Sequence, residues 1–356
     1  IKFCHPTTRS YSCGKLMNTK VAIVGSGFGM YGLLPAFSRI KGCKVVSICG
    51  KNSERMLNYC KKLGLNRYTD WREMLQKEKP DAVTIAVIPS HQYEIAKFAL
   101  ENGIAVFAEK PLTTSFATSL EINKLAKEKE LPNMMDFIFP EIPEWQATKK
   151  VIQSGLVGKI HKINVDWEFL SYDLRNRIKS WKTDVQQGGG ALSFYFSHTF
   201  YYLEYFLGRI KNVQCNFSSS EKSLSKGETS INMTILFENG CMGNVHMDIS
   251  YSGRQKHTVE FFADGRKITL QNISDCFVDN FELTVNTGKK TQKIKPDKVL
   301  DLSHDELEDP RVKVIKPIAE RFINWCNTGV EAKPDFEDGL RVQELIEMAR
   351  ASDSKS

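Results

Sequence analysis

The sequence predicts an α/β fold: a doubly wound parallel sheet domain, followed by an α+β domain with a large, open-faced, mostly antiparallel sheet. Three observations predict it. Short apolar runs alternate with helical stretches as far as residue 136, the spacing of strand–helix–strand units. A glycine-rich turn, Gly25-Ser26-Gly27-Phe28-Gly29, joins the first apolar run to the first helical stretch. Beyond residue 136 strands dominate, and residues such as Asn232, Thr234 and Leu236 alternate with apolar neighbours, as in a sheet with one buried face.

The elements follow in order. Residues 21–24 read as a strand buried on both faces, and a helical pattern runs from the glycine turn to Ile40. A second strand is expected over 44–49, then a helix over 53–63, and Asp70-Trp71-Arg72-Glu73 is a capping-box signature for another. A third strand covers 82–88, followed by a helix to Asn102, and a fourth covers 104–108. Thr114 or Ser115 caps the helix that follows, which runs to about Lys129. The second half predicts a helix over 144–154, a strand over 161–170 and a helix over 191–207. Strands are then expected over 211–218, 229–237, 241–251, 256–263 and 266–271, with terminal helices over 315–325 and 340–351. The division is a disordered or non-native extension over 1–16 with Met17 as natural start, a dinucleotide-binding domain over 17–136, a substrate and oligomerisation domain over 137–335, and a C-terminal segment over 336–356 packing back on the first domain.

Composition narrows the classes of function. The 356 residues are 41% hydrophobic and 26% charged, with a net charge of +7. That describes a globular chain, and the mild positive field suits small anionic ligands. The densest basic stretch, Lys289-Lys290 through Lys293, Lys295 and Lys298, lacks interleaved aromatics and reads as a surface loop, not a nucleic-acid site. Nine cysteines without a CxxC pair suit buried free thiols in a reducing compartment. Seven scattered histidines have no metal-ligand spacing, and no apolar run reaches the ~20 residues of a membrane span. The expectation is a metal-free cytoplasmic protein with no nucleic-acid or membrane partner.

Lys110, in Glu109-Lys110-Pro111, directly follows the apolar run 104–108. Open parallel sheets bind ligands at the carboxyl ends of their strands, and the proline ends the ladder there. Gly25 and Gly27 fill the first two positions of G-x-G-x-x-G, Met30 stands at the third, and Gly29 is adjacent. Such a turn lets backbone N–H groups and a helix N-terminus meet a pyrophosphate, so Gly25 through Met30 are candidate cofactor contacts. At the end of the second strand, Gly50-Lys51-Asn52-Ser53 carries no carboxylate for a ribose 2′-hydroxyl. The group favours the 2′-phosphate of NADP(H), with NAD(H) as the alternative.

The glycine turn, Gly103 to Leu112, Ser154-Gly-Leu-Val-Gly158, Gly188-Gly-Gly-Ala-Leu192 and Pro334 to Arg341 occur in an order that resembles the glucose–fructose oxidoreductase/inositol dehydrogenase (Gfo/Idh/MocA) family. The likeness runs from about Val21 to the end of the chain. It implies an NAD(P)-binding Rossmann domain, an open sheet that forms a homodimer or homotetramer, and hydride exchange between nicotinamide and a sugar-like carbinol or ketone. It also implies that Lys110 is catalytic, reaching nicotinamide ribose and substrate oxygen, and that Glu109, Ile88, Pro89 and Gln92 line the nicotinamide. His198 matches the histidine of the family's D-x-G-x-H-x-x-D stretch, but both acidic positions are aromatic here, Phe194 and Tyr201.

A lysine and a histidine suffice for reduction, where one acid must protonate a developing alkoxide. Asp136, Trp181, Lys182, Tyr195 and Tyr201 are candidate substrate contacts. The expected activity is NADP(H)-dependent reduction of a sugar or sugar-nucleotide ketone. The alternatives are an NAD(P)-dependent polyol or sugar dehydrogenase, and a dinucleotide-binding sensor or assembly subunit without turnover.

Overall fold

Six parallel strands make the first sheet, in the order β3-β2-β1-β4-β5-β6. They are β1 (Thr19–Val24), β2 (Cys43–Cys49), β3 (Asn66–Tyr68), β4 (Ala82–Ile85), β5 (Ala105–Ala108) and β6 (Asn133–Met135). The computed structural model describes residues 18–297, 300 and 308–353. The expectations for 1–16, for Met17 and for Lys298 lie outside these residues.

A wide helical turn over Gly29–Leu33 leads into α1 (Leu34–Ser38); α2 (Glu54–Leu63), α3 (Trp71–Glu78), α4 (Pro89–Glu101) and α5 (Phe116–Glu128) follow. Local signals start these helices where the sequence places them. Ser53 accepts from Met56 N, Asp70 from Arg72 N and Glu73 N, and Ser115 from Thr118 N. Each such cap contributes about 1 kcal/mol. The three-residue edge strands β3 and β6 escape sequence reading because they are too short for a period to register. β4 ends at Ile85, short of the expected 88. Just beyond it, a Cβ on Gly25 would come 2.3 Å from the Ala86 carbonyl oxygen, so the chain crowds the glycine turn there.

The second half begins with α6 (Pro143–Gln153), β7 (Lys162–Glu168), the short α7 (Tyr172–Arg175) and α8 (Ser197–Leu207). Seven strands follow: β8 (Ile210–Ser218), β9 (Ser230–Phe237), β10 (Met242–Asp248), β11 (Lys256–Ala263), β12 (Arg266–Asn272), β13 (Glu282–Asn286) and β14 (Thr291–Ile294). With β7 they form an eight-stranded sheet, in which β7 and β10 run parallel and every other pair antiparallel. Burial along β9 and β11 alternates strictly, so one face packs on helices and the other is open. The basic stretch read as a loop is in part a strand. Thr291–Ile294 form the edge, where Lys293 pairs with Glu282 at 2.6 Å. Lysines suit an edge strand because their charge discourages further pairing.

Two final helices, α9 (Val312–Thr328) and α10 (Phe336–Ala351), return to the first sheet. On α9, Phe322 meets Phe37 and Phe107 edge-on, at 6.3 and 5.7 Å between centroids. Helix α10 packs on α5 and also on α8, where Arg341 pairs with Glu204 at 2.8 Å. The two sheets are thereby held with the C-terminal ends of β4 and β5 facing the start of α8.

Candidate active site

Lys110 leaves the end of β5 on a cis peptide bond to Pro111. The side-chain nitrogen of Gln92, on α4, donates to the carbonyls of Glu109, Pro111 and Leu112 at 2.6, 3.0 and 3.0 Å, which fixes the turn. The Lys110 ammonium then reaches across to the second domain. It donates to the Phe194 carbonyl at 2.5 Å and lies 3.8 Å from the centre of the Phe194 ring. Only 8% of the residue is exposed. Burial pulls its pKa down to about 8; Glu109 opposes this, and Arg311 and Lys182 add to it.

Phe194 lies in a wide helical turn over Ala191–Phe196 that continues into α8, which carries His198. Glu228, from the segment before β9, fastens that start. Its carbonyl accepts from Ala191 N at 2.9 Å and its carboxylate from Leu192 N at 3.0 Å. His198 is 8% exposed and sits against the edges of Phe137 and Phe139. Its Nδ1 is enclosed without a partner, so Nε2 is the atom that can reach a ligand. Burial, then the charges of Lys110 and Arg311, hold the imidazole pKa well below its ordinary value, and the ring is neutral. Trp181 meets Phe194 edge-on at 5.1 Å, and Tyr195 meets it at 4.6 Å. The Lys182 ammonium is 5.6 Å from the same ring and 3.8 Å from Asp173. Lys110, Trp181, Lys182 and Tyr195 therefore meet around Phe194, and His198 lies within reach of the Lys110 charge.

The residues at the glycine turn fit a dinucleotide. A Cβ on Gly27 would meet nothing within 4 Å, so the backbone there is open to a ligand. Gly29 takes the role normally given to the third glycine, since a Cβ there would come 3.3 Å from Ile23 where helix and strand touch. Gly50 abuts Ser26, and Lys51 N donates to Ser26 Oγ at 3.2 Å, while the exposed Lys51 side chain has no partner among the described residues. The Ser53 hydroxyl oxygen caps α2 by accepting from Met56 N at 3.2 Å, and its O–H is not used in that bond.

Four candidates are corrected. Met30 is 1% exposed and packs with Ile23, Leu34 and Ile48, while its N–H is taken by Gly27 O; it is core. Gln92 is 1% exposed and supports the lysine turn from beneath, so its side-chain nitrogen is already committed. Asp136 is turned away from any surface, 2% exposed, against Glu109. Tyr201 stacks on Phe137 at 4.4 Å, and the charges acting on it (Asp338, Glu141 and Arg321) are a different set from those around Lys110. Pro89 is buried against Gly188 of the second domain, whereas Ile88 stays partly exposed at the head of α4.

Three participants were missed. Arg311 is held by Asp309 at 2.7 and 2.8 Å, lies 3.9 Å over the Phe28 ring and acts on Lys110, Asp136 and His198. No periodic pattern surrounds it. Arg67, on β3, bonds Asn52, and its strand was not read. Glu228 stands in a glycine–serine-rich connection without a motif. Among the described residues no cluster of His, Cys, Asp and Glu could hold a metal ion, and no helix is long and apolar enough to cross a membrane.

Comparison with known proteins places this geometry. Residues 19–137 match the family model for the Gfo/Idh/MocA oxidoreductase family, NAD-binding Rossmann fold, and residues 149–356 match the model for its C-terminal alpha/beta domain. The chain belongs to the Gfo/Idh/MocA oxidoreductase family. An uncharacterised oxidoreductase of Synechocystis is 26% identical over 353 residues, covering 94% of each chain. The levoglucosan dehydrogenase of Pseudarthrobacter phenanthrenivorans is 27% identical over 250 residues, covering 65% of this chain and 63% of that one. A solved structure of a levoglucosan dehydrogenase in complex with NADH and L-sorbose superimposes with a TM-score of 0.83 at 21% identity, over 95% and 97% of the two chains. The protein is accordingly an oxidoreductase with an NAD-binding Rossmann domain.

Proposed function

We propose that the protein is an NADP(H)-dependent ketoreductase of a sugar or sugar-nucleotide, with Lys110 as the proton donor. The observation that carries this reading is the buried Lys110 ammonium, held by the Phe194 carbonyl and ring with its pKa pulled down to about 8. The bound coenzyme supplies the hydride. Lys110 then protonates the oxygen on which negative charge develops, a role suited to an acid whose pKa lies near the working pH. His198, being neutral, offers one nitrogen to orient a neighbouring hydroxyl. Phe194 supplies no carboxylate to accept a carbinol proton, which favours reduction over oxidation. Trp181 and Tyr195 wall the site and present faces on which a sugar ring can lie.

The pH dependence tests the assignment. Reduction requires the ammonium and oxidation the free amine. The rate of keto-sugar reduction is therefore expected to be flat below about pH 8 and to fall tenfold per unit above it, while oxidation of the product alcohol rises towards the same value. His198 adds no limb, because its pKa lies well below the ordinary value. A reduction profile falling between pH 6 and 7 would contradict both roles. Tight coenzyme binding without turnover of any keto-sugar would favour the sensor reading.

Support for NADP(H) comes from the end of β2, where Lys51 projects freely and Arg67 stands beside Asn52. Lys51→Glu is expected to raise the KM for NADPH about tenfold or more, the worth of one charge-assisted hydrogen bond, and to leave the KM for NADH unchanged or lower. Steady-state titration of both coenzymes reads this. Equal effects on the two would refute the 2′-phosphate assignment.

A further inference from the structure

We infer that Arg311 is a coenzyme-binding residue, its guanidinium closing over the glycine turn to donate to an oxygen of the dinucleotide pyrophosphate. The inference rests on the dinucleotide site at that turn. It depends neither on the direction of the reaction nor on the choice between NADP(H) and NAD(H).

Position is the first support. Phe28 stands between Gly27 and Gly29 in the turn, and Gly27 is where a Cβ would meet nothing within 4 Å. The Phe28 ring is already packed on Gly32, since a Cβ there would come 2.4 Å from it. The Arg311 guanidinium lies 3.9 Å over this ring and 5.7 Å from the ring of Phe277 in the second domain. A planar cation suits such stacking. The chain leading to Arg311 is fastened to the helical stretch that begins at the turn. Asp309 N donates to Tyr31 O at 3.0 Å, and Glu308 pairs with Arg39 at 2.7 Å. Arg311 is therefore held beside the backbone that meets a pyrophosphate.

Charge is the second. Arg311 is the residue at which α9 starts, and its side chain caps no N–H. Ser, Thr, Asp and Asn are favoured there, and a cation faces the positive end of the 17-residue helix. Asp309 is its one ion-pair partner among the described residues. That carboxylate accepts from Arg311 Nε at 2.8 Å and Nη2 at 2.7 Å, which leaves Nη1 without a partner among them. The side chain is 29% exposed, so solution reaches it. An arginine that weakens its own helix start, is laid on an aromatic ring and keeps a free donor is arranged for an anion. At a dinucleotide turn that anion is the pyrophosphate.

Binding measured without turnover tests this. Arg311→Gln is expected to raise the Kd of NADPH, NADH and ADP-ribose about tenfold, by the same factor for all three, because each carries the pyrophosphate. Arg311→Lys keeps the charge without the fork and should recover part of the loss. Melting of the coenzyme-free protein should change little in either variant, since an ion pair is lost or altered near the surface. Combined with Lys51→Glu, the two losses in NADPH affinity should multiply, as for separate groups. Unchanged affinity of Arg311→Gln for ADP-ribose overturns the inference. A loss confined to NADPH would put Arg311 on the 2′-phosphate, and one confined to the KM of the keto-sugar would put it on the substrate; either overturns it. So does a loss that comes with a much lowered melting temperature in the coenzyme-free protein, which would make Arg311 structural. If the parent protein binds neither coenzyme nor ADP-ribose, the dinucleotide site itself fails, and the inference with it.

Discussion

Lys110→Met is expected to lower kcat for reduction about a thousandfold while leaving coenzyme affinity within a few-fold of the parent. The methionine keeps an unbranched side chain against the Phe194 ring, where the ammonium now lies 3.8 Å from the ring centre, but it removes the proton donor. General-acid catalysis contributes about 10²–10⁴-fold, and neither His198 nor Tyr195 can take its place. The His198 ring is neutral because burial and the Lys110 charge disfavour its cation, and the Tyr195 phenol is pushed above its ordinary range by burial. The dinucleotide turn lies at the end of β1, and Lys110 at the end of β5, with β4 between them, so coenzyme binding should survive. Calorimetric titration with NADPH and single-turnover absorbance would separate the two effects. Substantial turnover in this variant would remove Lys110 from its role. A loss of coenzyme binding equal to the loss of kcat would make it a binding residue instead.

The features that could be read from sequence share one property: each is set by neighbours in the chain. The glycine turn between strand and helix, the lysine after an apolar run and the Ser53, Asp70 and Ser115 caps are local patterns, and the structure forms them. What escaped is set by contacts distant in sequence. Arg311 reaches Phe28 from the other end of the chain, and nothing near it in sequence marks it. The family resemblance placed Gln92 beside the nicotinamide. Three carbonyls of the lysine turn accept from its side-chain nitrogen, and that is visible only once α4 and β5 are packed. Met30 shows the same limit in reverse. The motif counts positions, but the close helix–strand contact falls on Gly29, so the third motif position turns into the core.

Glu228 gives the second large effect, and it connects stability with catalysis. The Glu228 side chain is 6% exposed, accepts from Leu192 N at 3.0 Å and meets Arg350 of α10 at 3.3 Å. Gly190 exists to admit it: φ is +88°, and a Cβ there would stand 2.3 Å from the carboxylate. Glu228→Ala leaves a buried helix-start N–H unpaired, at a cost of about 2 kcal/mol, and melting is expected to fall by several degrees. The same turn carries the Phe194 carbonyl that holds Lys110, so kcat should fall as well, and the pH limb near 8 should move. Glu228→Gln keeps an acceptor for Leu192 N and should recover most of the melting temperature and the position of the limb. If glutamine proves as damaging as alanine, attraction to Arg350 rather than the helix-start hydrogen bond holds α8 in place. If alanine changes neither melting nor kcat, the start of α8 does not depend on Glu228, and Lys110 must be positioned from the first domain alone.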